Sequence, residues 1–521
     1  MKANLKLETA AHAAVQAAID CGVKDFCICP GARAAEFLAL LKTSPQFSMY
    51  TFYDERSAAF FALGKSQVTQ RPVAVIVTSG SALAHLLAAA MEAYYTGTPL
   101  LFITADRPRR FRGTNAPQSC EQERFYGVYT PFFCDIAWDE PCDLVEWDQR
   151  APAHINVCLE EPNHKDFTLS SPLDISSPSY TASKNNETAE ISSALTHFLE
   201  RCHLPFVIVG KLKVEDKESV LQFLLKLKAP VFLEAISGLR EDPRLKELQV
   251  TRCDWPKSYP MDGVIRIGGV PTFRFWRDLE ESNGTIPVFS INHQPFSGLS
   301  WGTIHCVDLK VFFDFYAIKP CEPSEDWKEL DRKYETQLSA LYQDEPTAEA
   351  SLVHALSTHI PPRSFIFLGN SLPIREWDQS ATFNNKGFKV RASRGINGID
   401  GQTSTFFGAA DPSVENWCIL GDLTTLHDLS APWILPQLDT GRLNIVVVNN
   451  GGGRIFARIL KDIENQNPHS LGFKPFAEMW GMLYERWKSI PPYIPCTSPR
   501  LIELVPDYEA TQRFWQKAAS L

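Results

Sequence analysis

Short apolar runs alternate with amphipathic stretches along most of the chain, the pattern of strands and helices taking turns. From Asp25 to Ala105 it predicts a strand at Phe26-Cys27-Ile28-Cys29, a helix through Leu41, a strand over residues 49–53, a helix through Gln67, a strand over 73–77, a helix from Ala82 and a strand at Leu100-Leu101-Phe102-Ile103. Uninterrupted apolar strands separated by helices belong to parallel sheets covered on both faces. The stretch 169–186, rich in Ser, Pro and Asn, reads as a linker. A helix around 191–199 and strands at 206–209, 231–233, 263–267, 287–291 and 304–307 predict a second α/β unit without a GxGxxG fingerprint. A polar connection over 320–345 leads to a third unit, with a helix around 352–358 and strands at 365–368, 417–420 and 443–448. The expected fold class is α/β, with three parallel-sheet domains over 1–180, 187–320 and 346–521; 521 residues suit roughly three domains of about 150 each.

Composition narrows the function classes. With 44% hydrophobic and 21% charged residues and no apolar stretch near the roughly 18 residues of a membrane span, the chain reads as globular with no integral membrane contact. Met1-Lys2-Ala3-Asn4-Leu5-Lys6 has neither the apolar core nor the cleavage site of a signal peptide. Thirteen cysteines are scattered without a CxxC pair, and Cys27 and Cys29 share a face of a buried strand where packing is expected, so a reducing, cytoplasmic setting is expected. A net charge of −10 argues against nonspecific nucleic-acid binding. Arg107, Arg109, Arg110 and Arg112 form a local basic cluster, which is a solvated loop unless it serves an anion.

The chemistry-bearing pattern is Gly421-Asp422-Leu423 followed by Asn449-Asn450, with Asn450 28 positions beyond Asp422. Each motif ends an apolar run, so both sit at carboxyl ends of adjacent parallel strands, where open α/β sheets bind ligands. An Asp carboxylate, an Asn side-chain carbonyl and a backbone carbonyl from the Gly-rich turn supply three hard oxygens. Positions are left for diphosphate oxygens and water around an octahedral Mg²⁺. A plain turn is the competing account of Asn-Asn-Gly-Gly-Gly, but a Gly-Asp pair with Asn at this spacing resembles the thiamine-diphosphate motif. That cofactor needs a carboxyl group at its aminopyrimidine ring to favour the imino tautomer, whose nitrogen takes the C2 proton. Glu55, at the end of the second strand, is the candidate; its alternative role is an acid favourable to a helix amino terminus, which Asp54 serves equally well.

Taken in order, Tyr53-Asp54-Glu55-Arg56, Val77-Thr78-Ser79-Gly80-Ser81, Thr104-Ala105-Asp106-Arg107-Pro108, Gly369-Asn370-Ser371-Leu372, Ser393-Arg394-Gly395 and Gly398-Ile399-Asp400-Gly401, with the two motifs above, resemble the 2-succinyl-5-enolpyruvyl-6-hydroxy-3-cyclohexene-1-carboxylate synthase family of menaquinone biosynthesis. The apolar Leu423, where most thiamine-diphosphate enzymes have glycine, fits this narrower family. The resemblance implies pyrimidine-binding, central and diphosphate-binding domains, and a homodimer or homotetramer whose active sites are shared between subunits. It implies thiamine diphosphate with Mg²⁺, or Mn²⁺ in its stead, decarboxylation of 2-oxoglutarate, and addition of the resulting succinyl-carbanion equivalent to isochorismate. By the same resemblance Gly421, Asp422, Leu423, Thr424, Asn450, Gly452 and Ile399 hold the cofactor, with Asp422, Asn450 and the Gly452 carbonyl on the metal. Ser371, Arg375 and Arg394 face the oxo-acid donor, and Arg33, Arg107, Gln118 and Arg274 face isochorismate; planar guanidinium forks suit these dianions. Ala32, Phe275 and Ile396-Asn397 depart from the family pattern at positions near substrate. The alternatives are another thiamine-diphosphate 2-oxo acid decarboxylase or carboligase, and a catalytically silent regulatory paralogue.

Overall fold

The computed structural model describes residues 9–138, 140–161, 173, 188–252, 261–282, 284–321, 325–439, 441–458, 460 and 462–521. The chain divides into two compact units. One comprises Met1–Ser183, Gly395–Ala410 and Thr424–Asp439; the other comprises Lys184–Arg394, Asp411–Leu423 and Thr440–Leu521. The expected linker lies outside the described residues except for Leu173.

The first unit holds a sheet of β1 (Asp25–Ile28), β2 (Ser48–Thr51), β3 (Val73–Val77), β4 (Leu100–Asp106), β5 (Phe132–Ile136) and β6 (Ala153–Cys158), in the order β2-β1-β3-β4-β6-β5. Every pairing is parallel. The central strands are buried along their whole length because helices cover both faces, which is why they read as continuous apolar runs. Across one face the helices Glu55–Thr69 and Gln402–Ala409 pack closely. A Cβ on Gly64 would fall 2.0 Å from the Thr405 carbonyl oxygen, and one on Gly408 would fall 1.9 Å from that of Phe61, so this crossing requires glycine on both helices.

The second unit holds two sheets. One comprises β7 (Pro205–Val209), β8 (Val231–Leu233), β9 (Gly263–Ile267), β10 (Val288–Asn292) and β11 (His305–Cys306), in the order β11-β10-β9-β7-β8. The other comprises β12 (Phe365–Leu368), β13 (Lys389–Arg391), β14 (Asn416–Gly421), β15 (Leu443–Val448), β16 (Leu483–Trp487) and β17 (Arg500–Leu504), in the order β13-β12-β14-β15-β17-β16. These pairings too are all parallel. Three parallel sheets with interleaved helices are the expected α/β class.

Where the sequence pattern expected a polar connection over 320–345, the chain forms the helix Glu325–Asp344. Its inward stripe is Trp327, Asp331, Tyr334, Leu338 and Leu341, at helical spacing but with a carboxylate in the middle. Asp331 is buried against the Thr251 amide and hydroxyl, 3.1 Å away, so the polar member of the stripe is satisfied internally. Strand β6 escaped the apolar pattern for a similar reason. Its His154 and Asn156 are buried and bond to the Thr104 hydroxyl at 2.7 and 2.9 Å.

Candidate active site

Each six-stranded sheet reverses its winding next to its first strand. In the first unit β1 leads to β2 on one side, and β3 then enters on the other; in the second unit β12 leads to β13, and β14 then enters on the far side of β12. Such reversals open a crevice at the carboxyl ends of the strands, and most of the sequence-predicted site residues lie on the loops around these two crevices.

In the first unit, Glu55 is the first residue of the helix Glu55–Thr69. The capping task belongs to Asp54: its Oδ1 accepts from the Ser57 amide at 3.1 Å and its Oδ2 accepts from the Ser430 hydroxyl at 2.6 Å. Glu55 is half-buried, its carboxylate makes no hydrogen bond among the described residues, and its charge helps burial push the Cys29 thiol upward. Arg33 lies in the short turn after β1 and is buried. Its Nη1 donates to the Leu159 carbonyl at 2.6 Å and its Nη2 to the Glu161 carboxylate, which also has Arg107 Nη1 at 3.9 Å. Burial and the Arg107 charge lower the Arg33 pKa, with Glu161 opposing them. Two guanidiniums thus converge on one carboxylate whose side chain is itself 73% exposed. The remaining arginines of the cluster are consumed by pairing: Arg109 with Asp135 and Glu140, Arg110 with Glu160, and Arg112 with Glu123, Asp106 and Asp135. Gln118 is exposed with φ of +54° and packs its Cα against Gly80.

Ile399 is half-buried rather than a core residue. Its loop is held by Glu92, a 2%-exposed carboxylate whose oxygens accept from the Gly395 and Ile396 amides at 2.7 and 2.8 Å. Sequence reasoning missed Glu92; the signal was a lone acid inside the small apolar run Ala88-Ala89-Ala90-Met91-Glu92-Ala93.

In the second unit, Asp422 follows Gly421 at the end of β14, opens the helix Asp422–His427 and is 2% exposed. Its Oδ1 accepts from the Leu423 amide at 2.6 Å, and its Oδ2 accepts from the Gly451 and Gly452 amides, both at 2.9 Å. His469 Nε2 stands 3.2 Å from Oδ2, outside hydrogen-bonding geometry. Burial raises the Asp422 pKa against the pull of these donors. Positive φ at Gly451 and Gly452 gives the turn its shape, and a Cβ on Gly452 would meet the Gln466 carbonyl oxygen at 2.5 Å. The Gly452 carbonyl accepts from the Arg454 amide at 2.8 Å. Leu423 is half-buried and Thr424 buried on the helix that Asp422 opens.

The two neighbouring asparagines differ. Asn449 Nδ2 donates to the Leu471 carbonyl and to Glu503, both at 2.8 Å. Asn450 Nδ2 donates to both oxygens of Glu349, at 3.1 and 3.0 Å, while its Oδ1 is buried without a hydrogen-bond partner among the described residues. An unmatched buried acceptor beside a buried carboxylate suits a hard divalent cation. No group of three or more His, Cys, Asp or Glu side chains able to hold a metal occurs among the described residues.

Ser371 follows β12 with φ of +72°, a conformation that costs a non-glycine residue of order 1–3 kcal/mol. Its carbonyl accepts from Arg375 Nη1 at 2.5 Å. Burial lowers the Arg375 pKa, with Asp378 opposing it. Arg394 is buried and its Nη1 donates to Asn370 Oδ1 at 2.6 Å. Arg274 is exposed and pairs with Asp278 at 3.0 Å one turn along its helix. Arg274, Arg375, Asn450, Glu349 and Arg454 line one cavity of about 520 Å³. Phe275, by contrast, is buried against Phe206 and Phe273 and is a core residue. Glu349 was missed as well, its sequence signal being only an acid in a first helical turn.

Residues 8–125 match the family described as "Thiamine pyrophosphate enzyme, N-terminal TPP binding domain". The chain is 38% identical over 516 residues to the 2-succinyl-5-enolpyruvyl-6-hydroxy-3-cyclohexene-1-carboxylate synthase of Bdellovibrio bacteriovorus, covering 96% of this chain and 97% of that protein. It is 37% identical to the synthase of the same name from Akkermansia muciniphila, covering 96% of each. To the one from Synechococcus elongatus it is 31% identical, covering 87% of this chain and 82% of that protein.

Proposed function

Because the chain belongs to the 2-succinyl-5-enolpyruvyl-6-hydroxy-3-cyclohexene-1-carboxylate synthase family, we propose that it is a transferase of menaquinone biosynthesis that decarboxylates 2-oxoglutarate and adds the remaining succinyl unit to isochorismate, releasing CO₂. Thiamine diphosphate, when bound, supplies the electron sink for the carbon left by decarboxylation. The observation that carries the reading is the meeting of a buried carboxylate, Asp422, with the turn bearing the unpartnered buried Oδ1 of Asn450, at the ends of adjacent strands β14 and β15.

On this reading Asp422, Asn450 Oδ1 and the Gly452 carbonyl hold Mg²⁺ or Mn²⁺, and with it the diphosphate; an all-oxygen donor set favours those ions over zinc. Gly421, Leu423 and Thr424 shape the surrounding turn and helix start. Glu55 holds a proton at the aminopyrimidine ring, a role left open to it because Asp54 already caps the helix. Ile399, half-buried, would offer the cofactor an apolar contact. Arg375 and Arg394, with Ser371, orient the carboxylates of 2-oxoglutarate, while Arg33, Arg107, Gln118 and Arg274 orient isochorismate. Guanidinium pairs do this by fixing two hydrogen bonds at once as well as by charge. The domain division 1–180, 187–320 and 346–521, a homodimer or homotetramer with shared sites, and a cytoplasmic location belong to the same proposal; no helix among the described residues is long and apolar enough to cross a membrane.

The test is consumption of isochorismate together with 2-oxoglutarate, measured with and without thiamine diphosphate and Mg²⁺. Loss of both substrates at equal rates, only with cofactor and metal present, is expected. Turnover of 2-oxoglutarate that ignores isochorismate would move the chain to another acceptor, and no turnover under any condition would make it a silent paralogue.

A further inference from the structure

We propose that Glu349 is a positioning residue that decides which atom Asn450 presents to a divalent cation. The inference rests on the reading of Asp422 and Asn450 as cation ligands.

Glu349 opens the helix Glu349–His359 and is 3% exposed. Both its oxygens accept from Asn450 Nδ2. A carboxylate offers acceptors only, so the Asn450 amide must turn its NH₂ toward Glu349 and its oxygen away; the amide orientation follows from the chemistry of its neighbour. The oxygen so directed is the buried, unpartnered Oδ1. The main chain around it is fixed too. The Asn450 carbonyl accepts from Arg454 Nε at 3.0 Å, and the next two amides both donate to Asp422. Glu349 is anchored in turn, its amide donating to the Thr511 hydroxyl at 3.0 Å on the helix Tyr508–Ala518. One carboxylate, remote in sequence from either motif, therefore selects the ligating face of an amide.

A glutamine at 349 carries both a donor and an acceptor, so it accommodates either orientation of Asn450, including the one that points an NH₂ group, which cannot ligate a cation, into the site. Glu349→Gln should raise the Mn²⁺ dissociation constant about 10–100-fold, the usual cost of losing a partner that orients a metal ligand. Binding is read on the full-length chain from the paramagnetic resonance signal of free Mn²⁺ at saturating thiamine diphosphate. Turnover in the variant should recover at high Mn²⁺, with the KM for 2-oxoglutarate at its wild-type value, a split that a general loss of structure would not produce. Glu349→Ala, which removes the acceptor altogether, is the second variant and should show the same loss. Wild-type Mn²⁺ affinity in either variant, with cooperative unfolding retained, overturns the role of Glu349. Asp422→Ala separates the two layers: if it abolishes Mn²⁺ binding while the Glu349 variants do not, only the positioning role falls. If Asp422→Ala binds Mn²⁺ normally, the ligand reading falls and takes this inference with it.

Discussion

Asp54 and Glu55 are adjacent acids at one helix start, and the hydrogen bonds divide their labour. Asp54 accepts from the Ser57 amide and the Ser430 hydroxyl, whereas the Glu55 carboxylate has no hydrogen bond among the described residues. Glu55→Gln should therefore leave the unfolding midpoint of the cofactor-free chain nearly unchanged, since the cap survives and only a dipole contribution of about 0.3–1 kcal/mol is touched. Turnover should fall about 10²–10⁴-fold, the range for losing one acid/base group, and exchange of the C2 proton of bound thiamine diphosphate should fall with it. Near-normal exchange, with a clear loss of helix stability instead, would return Glu55 to an electrostatic role at the helix terminus. The same residue scale holds Glu92 and Glu349, buried acids that hold backbone amides or an asparagine rather than substrate. No spacing rule exposes them, because their partners lie about 300 and 100 residues away.

Between elements, the crossing of Glu55–Thr69 over Gln402–Ala409 depends on two absent side chains. Because a Cβ at Gly408 would overlap the Phe61 carbonyl oxygen, Gly408→Val must separate the helices or strain them. It should cost about 1–3 kcal/mol, as overpacking typically does, read as a lower denaturant midpoint at unchanged m-value. Gly408→Val with wild-type stability would mean that the crossing is loose. Elements that carry internal polar pairs were the ones the apolar pattern passed over. Strand β17 buries Arg500 against Asn444, at 2.7 Å, and Glu503 against Tyr484, at 2.6 Å. It thus reads as polar while being fully buried.

On the scale of the whole molecule, several carboxyls are buried at the expense of their charge. Burial pushes Glu241 up to about 7 and Asp331 up to about 6; burial likewise raises Glu234 and Asp378, with the Asp378 charge adding to the rise at Glu234. A carboxyl whose folded pKa exceeds its unfolded value binds its proton more tightly in the native chain. Its stabilisation is complete below the unfolded value, about 4.3 for Glu, and is lost as pH climbs through the folded one. The unfolding temperature of the cofactor-free chain should therefore decline from pH 5 to pH 8, and Glu241→Gln should flatten the part of that decline between about 4.3 and 7. Equal slopes for variant and wild type would remove Glu241 from the account. Assembly makes a separate prediction: if the active sites are shared between subunits, specific activity should fall as the enzyme is diluted through its dissociation range, and full activity in a demonstrated monomer would refute sharing.

Alternation of apolar runs and helical stretches determined that the sheets are parallel, because strands buried on both faces are mostly apolar; β6 and β17, whose buried polar side chains find internal partners, escape that pattern. The spacing of Asp422 and Asn450 determined that they end adjacent strands, since one strand-helix-strand crossover fits between them. Tertiary structure alone decided that the Asn450 side-chain oxygen is buried with no hydrogen bond among the described residues while its NH₂ is held by Glu349, because Glu349 arrives from a distant segment. It alone decided that Arg33 and Arg107 converge while Arg109, Arg110 and Arg112 are tied down, since the carboxylates that sort them come from residues 106 to 161 by way of the sheet. A sequence fixes local periodicity through sterics and solvent, whereas partner choice among polar groups is set only when the fold brings donors and acceptors within about 3 Å of one another.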